Sequence, residues 1–159
     1  MQISERDLYF RIERLYARYQ RCINDDELEL WPNFFAEKSR YKIISSENYE
    51  QGLPLGIIDA DSKSMLEDRV ASIRRANIFE DHRYKHFVSA IEVTEIAGSI
   101  VSIIANYQVV RIDIRGNAML FSVGRYKDKI SFDQDPPVFI EKLVIFDNQR
   151  VDTLLALPL

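Results

Sequence analysis

The stretch VSIIANYQVVRIDIRGNAMLFSV, Val101–Val123, decides the architecture. Val101, Ile103, Ala105, Tyr107 and Val109 recur at every second position. Strand side chains point alternately to opposite faces, so these five share one face of an extended chain. After Val109 the apolar set moves by one residue, to Val110, Ile112 and Ile114. A change of phase by one residue predicts a β-bulge, which bends and twists a long strand. Gly116-Asn117 is a turn, and Met119, Phe121 and Val123 open the next strand. Upstream, strand patterning starts at Tyr84, with Phe87, Ile91 and Val93 alternating against more polar neighbours. Downstream, Asp133–Pro137 (DQDPP) is a loop. Val138–Phe146 and Val151–Leu157 are the last strands, joined near Asn148-Gln149. Long successive strands with short turns pair antiparallel.

The first half of the chain has the helical period instead. Ser4 with Asp7 is a capping signal, with the acid near the helix start. Leu8, Ile12, Leu15, Tyr16, Tyr19 and Ile23 then form one apolar stripe. Arg11, Arg14, Arg18 and Arg21 fall largely on the other side. Asn24-Asp25-Asp26 breaks this helix, and a short second helix runs from Glu27 to Trp31. Pro32 ends it, because the residue before proline leaves the helical region. Phe34 and Phe35 are core candidates, and Tyr41, Ile43 and Ile44 mark a first strand. Ser45–Asp61 reads as a long loop punctuated by Gly52, Pro54 and Gly56. A third helix spans Ser62–Asn77, capped by Asp61 or Ser62, with the stripe Leu66, Val70 and Ile73. Helices first and a bulged antiparallel sheet second predict an α+β fold, with helices on one face of a curved sheet. Such a sheet makes a cone, whose interior is either a pocket or packed core. The 159 residues form one expected domain, 1–159.

The composition narrows the function. Hydrophobic residues make up 47% and charged residues 29%, the mix of a globular protein with a sizeable core. A net charge of −4 argues against a general nucleic-acid binder. The charged stretch Met1–Glu13 is not a secretory signal, and no run approaches the roughly 18 apolar residues of a membrane span. One cysteine, Cys22, suits a buried thiol in a reducing, cytoplasmic compartment. One cysteine and two histidines cannot build a Rieske cluster, another common iron–sulfur cluster or a usual structural zinc site. Phosphate-binding and nucleophile-elbow motifs are absent from the sequence.

Three groupings invite a chemical reading. His82 and His86, in DHRYKH, are four residues apart. On a helix their Cβ atoms would lie about 5–6 Å apart, close enough to share a metal. On a strand they would be roughly 13 Å apart, which excludes it. Asp59 and Asp61 could serve acid–base chemistry or Mg²⁺, but a helix cap and a solvated loop acid account for them more simply. The arginine row could face an anionic partner, against the commoner solvated helix face.

The motifs that follow carry a resemblance. They are WPNFF (Trp31–Phe35), GLPLGIIDADSKSMLEDR (Gly52–Arg69) and MLEDRVASIRRANIFEDHRYKHFVSAIEV (Met65–Val93). The strand pair VVRID (Val109–Asp113) and SVGRYKDKI (Ser122–Ile130) and the ending VDTLLALPL (Val151–Leu159) extend them. In order and spacing they resemble the small (β) subunits of aromatic-ring-hydroxylating dioxygenases over nearly the whole chain. The branch they are most similar to handles terephthalate, salicylate and anthranilate.

The resemblance implies the cone fold shared with nuclear transport factor 2 and SnoaL-like proteins. It implies a non-catalytic, cytoplasmic structural subunit in a homotrimer that caps large α subunits as α3β3. No cofactor is expected in this chain, and neither nucleic acid nor membrane is a partner. The Rieske 2Fe–2S cluster and a mononuclear iron are expected in the α subunit. His82 would lie in the turn before a strand and His86 at the strand start, making a structural hydrogen bond. The rival expectation is a stand-alone SnoaL-like or ketosteroid-isomerase-like enzyme, an isomerase or dehydratase, using the cone as a pocket. Its catalytic candidates would be Asp59, His86 and Tyr41. A free-standing trimeric binding protein is a third. An enzyme needs an open pocket holding one of these groups, whereas a structural subunit needs a filled cone and wide apolar surfaces.

Overall fold

The structure, a computed structural model, describes residues 3–75, 81–148 and 157–159. Helix α1 (Glu5–Asn24) starts where Ser4 Oγ accepts the Asp7 backbone N–H at 3.1 Å, which satisfies one orphan donor of the first turn. Its stripe Leu8, Ile12, Leu15, Tyr16, Tyr19 and Ile23 is buried, as the spacing predicts. Each large apolar side chain fully removed from water contributes roughly 1.5–3 kcal/mol. Asp26, with φ of 59°, turns the chain out of the helix.

The next segment differs from expectation. It is a 3₁₀ helix, Leu28–Phe34, that runs through Pro32 rather than stopping before it. The fixed φ of proline suits 3₁₀ geometry, and the Pro32 carbonyl accepts the Phe35 N–H that closes the turn. Trp31 is fully buried, Phe35 nearly so, and Phe34 packs half-buried against them. The 45–61 stretch is not a plain loop either. After β1 (Phe35–Ser45) comes the single-turn α2 (Ser46–Glu50), capped by Ser45 Oγ on the Asn48 N–H at 3.2 Å. β2 (Ile58–Ala60) then pairs antiparallel with β1. One turn and three residues are too short to register as periodicity. Helix α3 (Lys63–Arg75) is capped by Ser62, whose Oγ accepts the Met65 N–H at 3.3 Å. Leu66 and Val70 are buried and Ile73 is partly so.

The remaining strands are β3 (His82–Ala97), β4 (Ile100–Asp113), β5 (Ala118–Ser131) and β6 (Val138–Phe146). The sheet order is β2-β1-β6-β5-β4-β3. The run β3 to β6 is antiparallel, and β1 returns parallel to β6. Register shifts fall at Ala90–Ile91 and Thr94 in β3, at Phe121 in β5 and at Ile140 in β6. These bulges curl the sheet around α1, the 3₁₀ helix and α3, giving the open cone.

The predicted bulge occurs between Val109 and Val110, but its extra residue, Phe121, sits on the partner strand. β4 therefore keeps its phase. Arg111 lies opposite the buried Tyr84, and Val110 and Ile112 stay on the outer face, with Ile114 exposed. Phe87 is likewise outward and 48% exposed, while Tyr84 and His86 point inward. The patterning reached the right strands and the buried face of β4, and misjudged Phe87, Val110 and Ile112, because apolar residues also stand on the outer face. The expected strand Val151–Leu157 and the end of the third helix, residues 76 and 77, fall outside the described residues, Leu157 aside. No helix among the described residues is long and apolar enough to cross a membrane.

Candidate functional site

The cone interior is where a pocket would have to be, and a buried ion pair occupies it. Lys142 on β6 and Asp128 on β5 are direct cross-strand partners with side chains fully buried. Lys142 Nζ donates to Asp128 Oδ2 at 2.9 Å. The same oxygen accepts the Tyr16 hydroxyl, and Oδ1 accepts the Leu143 N–H at 3.2 Å. The ammonium lies 3.4 Å from the Tyr126 ring centroid, 4.7 Å from Tyr19, 4.8 Å from Phe139 and 5.1 Å from Tyr16. Four π faces and a carboxylate thus replace its water shell. Tyr126 stacks on Tyr107 at 4.6 Å, and the Tyr107 hydroxyl lies 2.8 Å from Ser122 Oγ. Burial pushes the Asp128 carboxyl up and the Lys142 ammonium down, and each charge opposes the shift of the other. Sequence reasoning missed this cage. Its signal was a charged residue in the apolar phase of each of two strands: Lys142 among Val138, Ile140, Val144 and Phe146, and Asp128 between Tyr126 and Ile130.

Residues 157–159 close the rest of the interior. Leu159 is fully buried, and its backbone oxygen accepts the Tyr19 hydroxyl at 2.9 Å and the Tyr41 hydroxyl at 3.2 Å. The Leu159 N–H donates to Tyr41 Oη at 3.0 Å. Tyr41 thus uses its hydroxyl both ways on this segment, and burial raises its pKa. His86 is 3% exposed. Its backbone N–H donates to Asn24 Oδ1 at 3.1 Å, and its Nδ1 lies 2.8 Å from the same oxygen. An amide oxygen only accepts, so Nδ1 carries the ring proton. Burial pushes the imidazole pKa down to about 3, with the Pro158 backbone and the Lys142 charge as smaller influences. His86 is therefore a neutral strut between α1 and β3. It also borders a shallow polar cleft of about 580 Å³ between those elements.

The three candidates of the pocket-enzyme reading do not converge. Tyr41 faces inward on β1, whereas Asp59 lies opposite Lys42 on the outward face. Arg40 grips Asp59 through two bonds of 3.0 and 2.8 Å, which hold the Asp59 carboxyl below its ordinary pKa. Only Tyr41 and His86 approach a common feature, the 157–159 segment. Asp61 is exposed and leaves the helix cap to Ser62. His82 opens β3 instead of preceding it, and His86 follows four residues later on the same strand. At about 3.3 Å per residue they stand roughly 13 Å apart, so one metal cannot hold both. Among the described residues no three His, Cys, Asp or Glu side chains gather to hold a metal ion. Cys22 is a buried thiol pushed up to about 12 by burial, and it donates to the Glu27 carbonyl at 3.0 Å. The residues present do not fit an iron centre or a Rieske cluster.

Where the interior is closed, the exterior is apolar in patches. Phe87, Ile114, Met119 and Leu120 stand exposed on β3, β5 and the turn after β4. Leu53, Leu55 and Ile57 project from the segment before β2, and Phe10 and Leu30 flank a groove beside α1. Exposed apolar side chains that gather into patches mark interaction sites.

The chain matches the profile of the family described as "Ring hydroxylating beta subunit" over residues 18–153. It is 37% identical over 151 residues to the anthranilate 1,2-dioxygenase small subunit of Burkholderia cepacia, covering 95% of this chain and 94% of that protein. It is 34% identical over 149 residues to the terephthalate 1,2-dioxygenase terminal oxygenase subunit beta 1 of Comamonas sp, covering 94% and 97%. Among solved structures it is similar to a protein of Novosphingobium aromaticivorans assigned as the β subunit of an aromatic-ring-hydroxylating dioxygenase. That likeness has a TM-score of 0.86 at 33% identity, covering 93% of this chain and 94% of the other.

Proposed function

This chain belongs to the ring-hydroxylating β-subunit family, and from that premise we propose that it is the structural, non-catalytic subunit of a multicomponent aromatic-acid dioxygenase. The observation that carries the reading is the filled cone: Lys142, Asp128 and Leu159 occupy the space a substrate would need. A pocket enzyme of this fold is not favoured, since Asp59, His86 and Tyr41 are respectively ion-paired outside, neutral and buried, and bonded to Leu159.

The assembly follows the same logic. A cytoplasmic large α subunit supplies the Rieske cluster and the mononuclear iron, and this chain supplies a rigid base as a homotrimer in an α3β3 complex. The exposed apolar patches support a chain built to be covered by partners. The aromatic acid is set in the large subunit, where the iron resides. Within this chain no residue touches the reacting atoms, and its contribution to turnover is to hold the large subunits in register.

The test is to tag the chain in its native host and purify what accompanies it, recording masses and the visible spectrum. A brown complex containing a larger chain with Rieske absorption is expected. A colourless homo-oligomer, obtained while aromatic catabolism is induced, overturns the reading.

A further inference from the structure

A groove of about 590 Å³ runs along α1, walled by Phe10, Leu15, Leu30, Phe34 and Pro137, with Arg11, Arg14 and Arg18 along one side. The three arginines stand at i, i+3 and i+7 on one helical stripe, where like charges repel. Arg11 shares Asp135 at 3.1 Å, a carboxylate that is itself 85% exposed. Arg14 lies over the Phe10 ring at 5.7 Å, and neither Arg14 nor Arg18 is within ion-pair distance of a described carboxylate. Asp135 is the sole acid among the lining residues, so the groove is cationic although the chain as a whole carries −4. Phe10 and Leu30 stand at its rim 56% and 51% exposed. A protein segment laid along the groove would bury its floor and the apolar surface that Phe10 and Leu30 now leave in water. Arginine and aromatic side chains around an apolar centre are also what the buried heart of a protein interface is made of.

We infer that this groove, between α1, the 3₁₀ helix and the 135–137 loop, docks an acidic segment of the large subunit carrying an apolar anchor. The anchor enters between Phe10, Leu30 and Phe34, and its carboxylates meet Arg14 and Arg18. The inference rests on the dioxygenase-subunit reading and adds the surface and its chemistry.

The test is the tagged chain purified from its native host as wild type and as Arg14→Glu/Arg18→Glu. Both side chains are exposed, so the fold does not depend on them. The charge reversal is expected to lower the large subunit recovered per small subunit by about tenfold or more, as the loss of two interface arginines implies. The small chain's own oligomeric state and melting temperature stay at wild-type values. Wild-type assembly should weaken with added salt, because rim charges are screened within about 10 Å at 0.1 M. Full recovery of the large subunit with the reversed pair overturns the inference while leaving the dioxygenase reading intact. So does a changed self-association of the small chain, which would make the groove a contact between copies. If the wild-type chain brings no iron-bearing partner at all, both readings fall together. A photo-crosslinker placed at Leu30 gives a second readout: the adduct has the mass of small plus large subunit if the inference holds, and of two small chains if it does not.

Discussion

Replacing Lys142 by methionine removes the ammonium but keeps most of the stem volume. In the native chain the ammonium is fully buried, 2.9 Å from Asp128 and 3.4 Å from the Tyr126 centroid. The variant leaves Asp128 buried without its counter-charge, although Tyr16 and the Leu143 N–H still donate to it. Removing one partner of a buried pair costs roughly 3–5 kcal/mol. A lost cation–π contact, about 2 kcal/mol when desolvated, forms part of that figure. Against a stability of about 5–15 kcal/mol for an ordinary domain, this is a fifth or more of the total. At roughly 2–4 °C per kcal/mol for a chain of this size, melting should fall by about 6–20 °C.

The double variant Lys142→Met/Asp128→Asn separates the pair from the packing. Asparagine is uncharged, its amide oxygen still accepts the Leu143 N–H and its NH2 can donate to the Tyr16 hydroxyl, so most of the loss should be recovered, to within about 2 kcal/mol of wild type. The assay is urea unfolding followed by Trp31 fluorescence at fixed protein concentration, since assembly shifts apparent stability. The single variant carries a pH signature as well. Burial already holds the Asp128 carboxyl above its ordinary pKa. Without the ammonium the folded chain keeps a proton that the unfolded chain releases. Stability of the variant should therefore decline as pH rises from about 4 toward the folded pKa. A single variant costing under about 1 kcal/mol, or a double variant as unstable as the sum of its parts, would refute the cage as the organising feature of the interior.

Four further outcomes are expected. His86→Gln should flatten the acid limb of the stability curve: its folded pKa of about 3 lies below the ordinary 6.5, so wild-type stability is complete above pH 6.5. It falls by up to about 1.4 kcal/mol per pH unit below that; identical slopes for the two proteins would count against the buried neutral ring. Gly124→Ala should unfold the chain or lower its melting point by more than 10 °C or so, because an added Cβ would sit 1.9 Å from the Ile145 carbonyl oxygen. Normal melting would mean that β5 and β6 can part at that point. Tyr41→Phe should cost about 1–3 kcal/mol by stranding the Leu159 N–H, and hydrogen exchange at Leu159 should speed up if the hydroxyl holds it. His82→Ala and Asp59→Asn, tested in the purified iron-bearing complex, should leave turnover within about threefold of wild type, under 1 kcal/mol of barrier. A loss of several orders of magnitude with assembly intact would restore a catalytic role to this chain.

What could be read ahead of the structure follows from how far each physical signal extends along the chain. The α1 stripe repeats over four turns and the β4 alternation over five positions, so both elements and their buried members were legible. α2 and β2 are five and three residues long, shorter than either period can reveal, and so they read as loop. The outer face of β3 to β5 misled for a different reason. Apolar Phe87, Val110 and Ile112 mimic core residues, and only the pairing register shows that they point away from α1. A sequence pattern reports that a residue avoids water, not which molecule shields it. The same ambiguity, reversed, hid the interior: Lys142 and Asp128 each interrupt an apolar phase and drew no reading from the sequence, yet they are each other's shield. The misread face and the missed pair point one way. In a pocket enzyme of this fold, polarity inside the cone should face a space and the outer sheet should face water. Here the central charges inside are bonded to each other, and the outer sheet face carries apolar residues among its charges, so the polar chemistry of the interior is spent on holding the fold.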